Sequence, residues 1–274
     1  MSRRCRAFSA HVALTATVIV ILFPFLWIVA SAFKRQIDIV TSQAIFTPVL
    51  VNFDELLNSR SSSFLHNYLN SFVVAAGSTL LAVGAATAAA FSLRQKAWGR
   101  WVGPALLGFS MVYYMTPQMT LVGSWYQLFR AIGINNTLFA VTVTHATINL
   151  PMALWLMTAF SKDCPRELEE AAVIDACSRL KTFTHVVLPV IMPGIMATAV
   201  LMFVFSWNEF PVALSLTTKE TATVPVAIAK FAQDFEVKYG AMAAAATLST
   251  VPAVLMILFA TRYIVRGLTA GALK

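Results

Sequence analysis

Charged residues are spaced along this chain so that six long stretches carry none: 7–33, 61–93, 101–129, 131–161, 182–208 and 239–261. Each exceeds the roughly 20 residues that a helix needs to cross a hydrocarbon core about 30 Å thick. The longest remaining gap between charges runs only from Asp38 to Asp54. A backbone in lipid must satisfy its own hydrogen bonds, so these stretches read as helices. The pattern predicts an all-α, polytopic membrane protein with six transmembrane helices, near residues 12–33, 68–93, 102–126, 137–160, 193–213 and 240–263. They form a single transmembrane domain over residues 1–274, with a polar loop at 161–192 between the fourth and fifth spans.

Composition agrees with that pattern. Hydrophobic residues make up 58% of the 274 and charged residues 12%, with a mean hydropathy of +0.74. Soluble domains carry about twice that charged fraction. The net charge of +8 forms no basic recognition patch, which argues against nucleic acid. It is better explained by the excess of Lys and Arg on cytoplasmic segments. With the N-terminus inside, the inner segments hold Arg3, Arg4, Arg6, Arg94, Lys96, Arg100, Lys162, Arg166, Arg179, Lys181, Arg262, Arg266 and Lys274. The outer segments hold Lys34, Arg35, Arg60, Arg130, Lys219, Lys230 and Lys238. That asymmetry predicts that both termini are cytoplasmic. The N-terminal arginines, an apolar run and Ala30-Ser31-Ala32 imitate a cleavable signal. The apolar region from Val12 to Phe33 is too long for one, so it is expected to remain as the first span.

Few groups in the spans carry chemistry. Cys5, Cys164 and Cys177 fall on expected cytoplasmic segments, where thiols stay reduced, and make no CxxC framework. The four histidines are scattered, so no metal site is expected, and His145 reads as a helix-to-helix hydrogen bonder. The second span is rich in small residues from Ala75 to Ala86, which suit close helix packing. Trp98 and Trp101 are placed to anchor the inner edge of the third span. Pro117 lies inside that span beside Tyr113, Tyr114, Thr116 and Gln118, where a missing N–H predicts a local break. The outer segment after the first span carries an amphipathic piece, Asn52 to Leu57. No G-x-x-x-x-G-K-[ST] sequence is present, so the chain has no Walker site of its own.

The loop between the fourth and fifth spans is the most informative polar segment. Pro165 suits the first position of a helix, with Asp163 or Cys164 as its cap. Glu167, Glu169 and Glu170 then lie near the positive end of the helix dipole. Leu168, Ala171, Ala172 and Cys177 give a narrow apolar face, rimmed by acids and suited either to a partner's groove or to packing within the loop. A second short helix is expected from Ser178 to Val187, ending before Leu188-Pro189, with Pro193-Gly194 opening the next span.

Glu170-Ala171-Ala172, Asp175 and Leu188-Pro189, with the proline nineteen residues after the glutamate, resemble the EAA loop of ABC importer permeases. One departure stands out: Ala176 and Cys177 follow the aspartate where the family has Gly and Ala. Asn70-Ser71, Pro117, Pro151, Trp207-Asn208-Glu209-Phe210 and the ending Arg266 to Ala272 extend the resemblance to carbohydrate permeases, above all the second permease of maltose- and trehalose-type systems. The resemblance implies the ABC importer transmembrane-domain architecture and a location in the bacterial cytoplasmic (inner) membrane. It implies that Glu169, Glu170, Ala171, Ala172, Asp175 and Ala176 couple the chain to an ATPase. The implied partners are a second, homologous permease, an ATP-binding cassette ATPase dimer and an extracytoplasmic sugar-binding protein. ATP and Mg2+ belong to the ATPase, so this chain is expected to bind no cofactor and to have no catalytic residue.

A sugar offers hydroxyls and apolar ring faces, so the candidates for its path are Tyr113, Tyr114, Gln118, Asn149, Asn208 and Glu209. Trp207 to Phe210 equally suit a structural anchor. A polyol or glycerol phosphate importer would share this architecture. An ion-coupled secondary transporter would need an ionisable group deep in a span, and only Glu209 comes near one. A membrane enzyme would need converging His, Asp or Cys residues, and the sequence offers none.

Overall fold

The computed structural model describes residues 3–59, 62–95, 98–232 and 237–271, with side chains described within 10–59, 62–95, 98–232 and 237–259. Cys5, the terminal arginines Arg3, Arg4, Arg6, Arg262 and Arg266, and Arg60, Lys96 and Lys274 lie outside the described side chains. So does the C-terminal motif from Arg266 onward. Every regular element among the described residues is helical. In chain order they are α1 (Arg3–Ala32), α2 (Gln36–Val40), α3 (Val51–Asn58), α4 (Phe64–Arg94), α5 (Val102–Met115), α6 (Gln118–Ala131) and α7 (Leu138–Lys162). There follow α8 (Arg166–Ile174), α9 (Arg179–Thr182), a π-helical turn (Phe183–Val187), α10 (Leu188–Trp207), α11 (Pro211–Leu216), α12 (Val224–Lys230) and α13 (Tyr239–Gly271).

Among the described residues, five helical stretches are long and apolar enough to span a membrane: Ala10–Ala32, Phe64–Arg94, Leu138–Lys162, Arg179–Trp207 and Tyr239–Phe259. The third expected span, 102–126, is two helices rather than one. Thr116 has extended backbone at ψ 127° and Pro117 stands before α6 as its cap residue. The ring of a proline disfavours helical geometry in the residue before it, which is why the break falls at Thr116.

The loop side of the fifth span also differs from expectation. No break separates residues 178–187 from the span; helix runs from Arg179 to Trp207 through the π-helical turn. Pro189 has no N–H for the carbonyl of His185 and its ring crowds that carbonyl. The wide turn accommodates it, with the Leu188 N–H bonded to the Phe183 carbonyl instead. At the other end the span stops at Trp207, short of residue 213, and Pro211 starts the separate helix α11.

The chain divides into two compact units, residues 1–65 with 227–251, and residues 66–226 with 252–274. In the first, the described side chains of α1 from Ala10 to Val29 are exposed. Beyond it Lys34 is buried. Its ammonium donates to the Gln43 carbonyl at 2.6 Å and lies over the rings of Trp27 and Phe46 at 4.3 and 4.8 Å. The expected amphipathic piece is α3, which buries Asn52 and Leu56. The Asn52 amide donates to the carbonyls of Ala32 and Lys34, both at 2.8 Å.

In the second unit, α4, α7 and α10 bury a common core. Ala82, Ala86 and Ala90 meet Ala153, Leu154 and Met157, with Val187, Ile191 and Met202. Small residues allow this proximity: a methyl on Gly77 would meet the Thr142 methyl at 2.9 Å. Asn70 and Ser71, near the start of α4, hold the segment before α12. Asn70 donates to the carbonyls of Glu220 and Ala222, and the Val224 N–H donates to the Ser71 hydroxyl at 2.7 Å.

Candidate functional site

The polar loop folds into α8, α9 and the π-helical turn. Pro165 occupies the cap position of α8, and no side chain caps that helix. The capping role expected of Asp163 or Cys164 is therefore not realised; Cys164 is buried and its carbonyl is engaged elsewhere. Arg94, the last residue of α4, donates to that carbonyl at 2.9 Å and pairs with Glu169 at 2.5 Å. The side chains of Arg94 and Glu169 are only 11% and 16% exposed, so water screens the pair weakly. Burial pushes the Cys164 thiol above its ordinary value, with Arg94 pulling it down and Glu169 pushing it up. Such a thiol carries little reactive thiolate at neutral pH.

The C-terminal end of α8 is a Schellman turn. The Cys177 N–H donates to the Ala172 carbonyl at 2.9 Å and the Ala176 N–H to the Val173 carbonyl at 3.0 Å. This geometry requires a left-handed residue after the cap, and Ala176 has φ +54°. The departure from the family pattern at Ala176 thus keeps the turn but carries it on a residue that resists it, at about 1 kcal/mol. Ala176→Gly is expected to slow tryptic cleavage at Arg179 and Lys181 in folded protein. Ala176→Val, with a branched side chain at the same φ, is expected to speed it. Both follow from cleavage-rate measurements on membranes.

The apolar face of α8 is wider than expected and faces outward. Of Leu168, Ala171, Ala172 and Cys177, Ala172 is buried and Cys177 half-buried, while Leu168 and Ala171 are exposed. Val173, Ile174 and Leu180 are exposed by 70%, 85% and 71%. Glu170, Asp175 and Ala176 are exposed beside them, whereas Glu169 turns inward to Arg94. Behind α8 lies a cavity of about 590 Å³, lined by Phe91, Arg94, Glu169, Glu170, Ile174 and Arg179 among others. The Phe91 and Phe183 rings pack 4.9 Å apart, bringing the end of α4 to the π-helical turn.

The six candidates for a substrate path fall into two groups. Tyr113 and Tyr114 lie at the end of α5 and Gln118 begins α6, around the Pro117 break; Tyr113 has a buried hydroxyl that meets no hydrogen-bond partner among the described residues, and Tyr114 is exposed. Asn149 is buried in α7, one turn from His145. Asn208 is exposed and donates to the Val204 carbonyl. Glu209 accepts from the N–H groups of Val212 and Ala213, both at 2.8 Å, and lies 3.2 Å from His145 Nε2. Its carboxylate thus holds the first turn of α11. Trp207 is buried against Tyr68 and Phe203, the anchor arrangement for this motif.

Two contributors were not legible as site residues. Arg94 reads in sequence only as one of several inner basic residues, and its position at the end of α4 gains meaning once α8 folds beneath it. Ser206 is one apolar-span serine among several, and becomes distinctive through its bond to His145 at 2.8 Å.

Comparison with known proteins places this geometry. Residues 81–270 match the family model described as binding-protein-dependent transport system inner membrane component. The chain is 37% identical to the trehalose/maltose transport system permease protein MalG of Thermococcus litoralis, over 93% of this chain and 92% of that one. It is 34% identical to the trehalose transport system permease protein SugB of Mycobacterium tuberculosis, with 92% of each chain covered. It is 31% identical to the diacetylchitobiose uptake system permease protein DasC of Streptomyces coelicolor, with 95% of each covered. Among solved structures, a bacterial ABC transporter involved in import of the acidic polysaccharide alginate shares the fold. The TM-score is 0.77 at 17% identity, covering 96% of this chain and 98% of that chain.

Proposed function

Because this chain belongs to the family of binding-protein-dependent transport system inner membrane components, we propose that residues 161–192 are the lever through which a separate ATPase drives its helices. The chain is a membrane-spanning permease of an ABC importer and not a catalytic enzyme. The proposed cargo is a sugar, a di- or oligosaccharide of trehalose or maltose type, supported by the relatives' substrates. The proposed assembly adds a second, homologous permease, an ATPase dimer that binds ATP and Mg2+, and an extracytoplasmic binding protein. The loop and both termini lie on the cytoplasmic side in this reading, as the distribution of basic residues suggests.

One observation carries the coupling role: Val173, Ile174 and Leu180 are exposed together on this loop beside Glu170 and Asp175. Apolar side chains grouped in this way mark a surface that another protein covers. Behind that surface, α8 is tied to α4 by Arg94, and the loop continues without a break into α10. A displacement of α8 by the ATPase is thereby delivered to two spans together. Switching between inward- and outward-facing packings is then an equilibrium that nucleotide biases from one side and loaded binding protein from the other.

The test uses the purified complex in proteoliposomes. Glu170→Ala and Ile174→Asp are each expected to lower binding-protein-stimulated ATP hydrolysis and uptake at least tenfold. Stimulated hydrolysis that survives both substitutions would remove the coupling role. Uptake of labelled trehalose and maltose, compared with labelled glycerol 3-phosphate, decides the class of cargo independently.

A further inference from the structure

A buried chain of polar groups links four helices of the second unit at the end of α10 remote from the loop. Ser78 on α4 lies with its hydroxyl 3.2 Å from the Ala75 carbonyl and 2.9 Å from the hydroxyl of Ser206 on α10. The Ser206 hydroxyl lies 2.8 Å from Nδ1 of His145 on α7. His145 Nε2 faces Glu209, whose two oxygens accept the Val212 and Ala213 N–H groups of α11. Ser78, His145 and Ser206 are buried, at 0%, 1% and 4% exposure, so water does not supply missing partners.

From Nδ1 of His145 to the Ala75 carbonyl the hydrogens can be distributed in two ways, and both are complete over that stretch. With neutral imidazole, Nε2 carries the ring hydrogen and stands 3.2 Å from the Glu209 carboxylate, the Ser206 hydroxyl donates to Nδ1, and the Ser78 hydroxyl donates to Ser206. With imidazolium, Nε2 keeps its hydrogen beside Glu209, but Nδ1–H now donates to Ser206. The Ser206 hydroxyl then donates to Ser78, and the Ser78 hydroxyl donates to the Ala75 carbonyl. One proton has been added at His145 and two hydroxyls have reversed. A serine hydroxyl can do this because it has one rotatable hydrogen and two lone pairs, and a helical carbonyl keeps a second lone pair for a side chain. The Ala75 contact is idle in the first arrangement and required in the second.

Glu209 is the charged side chain that the structure sets against His145 among the described residues. α10 and α11 carry no ionisable side chain, and α4 carries only His66, Tyr68 and Arg94, near its ends. α5 contributes Tyr113 and Tyr114, and α6 contributes Tyr126 and Arg130. We propose that Ser78, His145 and Ser206 are positioning residues that keep Glu209 on the first turn of α11 whichever protonation state His145 takes. The α10–α11 corner therefore holds its geometry at acid and at alkaline pH alike. Ser78 is the terminal relay: it is dispensable to the neutral arrangement and necessary to the charged one.

The experiment is hydrogen–deuterium exchange of the full chain in nanodiscs, read as protection factors for the peptide containing Val212 and Ala213 at pH 5.5 and pH 8. Wild type is expected to show equal protection at both pH values, within about threefold. Ser78→Ala is expected to match wild type at pH 8 and lose about tenfold at pH 5.5, and Ser78→Thr, which keeps the hydroxyl, to match wild type at both. His145→Gln is expected to lose protection at both. Should Ser78→Ala fail to insert, Ser78→Cys takes its place, with the same acid-side loss expected. Equal protection in the Ser78 variant and wild type at both pH values overturns the proposal, as does an equal loss at both. Loss of wild-type protection at pH 5.5 overturns it as well.

Discussion

Replacing Arg94 with alanine is expected to lower uptake at least tenfold while leaving the chain inserted in the membrane. Arg94 is the group through which α4 holds α8, by the Glu169 carboxylate and by the Cys164 carbonyl. Truncating it leaves Glu169 charged in a site that is mostly shielded from water. Stranding one member of a buried ion pair costs about 3–5 kcal/mol, more than the intact pair contributes. Partial exposure places this pair near the low end, roughly 3 kcal/mol and about a hundredfold in the docking equilibrium of the loop. Arg94→Ala with Glu169→Ala removes both the charge and its penalty, so the double variant is expected to recover part of the lost uptake. Thiol labelling gives a second readout: in wild type Cys164 should react with maleimide far more slowly than Cys177, and in Arg94→Ala the two rates should converge. Uptake unchanged in the single variant would show that α8 is held by other contacts.

That prediction rests on a residue whose role only the folded chain discloses, whereas much else was legible beforehand. The membrane spans could be read from charge spacing, because lipid penalises any unpaired charge or backbone group and leaves long uncharged runs as the record. The break at Pro117 could be anticipated for an equally local reason. Helix ends in the loop were less legible. Prolines at 165, 189 and 193 each suggested a boundary, yet the structure places one at a cap position and passes helix through the other two. A proline removes one hydrogen bond, and whether the helix stops there depends on the packing available to either side. His145 could be foreseen as a hydrogen bonder between helices, but its partners could not, because Ser78, Ser206 and Glu209 lie 61 or more residues away from it in sequence or are joined to it only through one another. Ala176 is the intermediate case. The sequence showed an unusual residue, and the left-handed φ showed what that residue has to withstand.

The second large effect is expected at Gly194, where adding one methyl group should disrupt the contact between α7 and α10. A Cβ at this position would overlap the ring of Phe160 and sit 2.7 Å from the Cβ of Phe160. Rotating the phenylalanine moves its ring but leaves its own Cβ in place, so no change of rotamer relieves the contact. The helices themselves must separate, and they share the core formed by Ala153, Leu154, Met157, Ile191 and Met202. Overpacking a close interface costs about 1–3 kcal/mol where side chains can adjust, and the upper end applies where backbone must move. Gly194→Ala is therefore expected to lower the amount of folded protein and to cut uptake per inserted molecule at least fivefold, because α10 carries the loop's motion into the bundle. The compensating change separates this account from a general intolerance of substitution. Phe160→Ala in the Gly194→Ala background removes the ring and keeps the Cβ contact, so it should restore uptake in part. Phe160→Gly removes both and should restore more, despite glycine's lower helix propensity. If neither change improves on Gly194→Ala, the packing of α7 against α10 at Phe160 is not what makes Gly194 necessary.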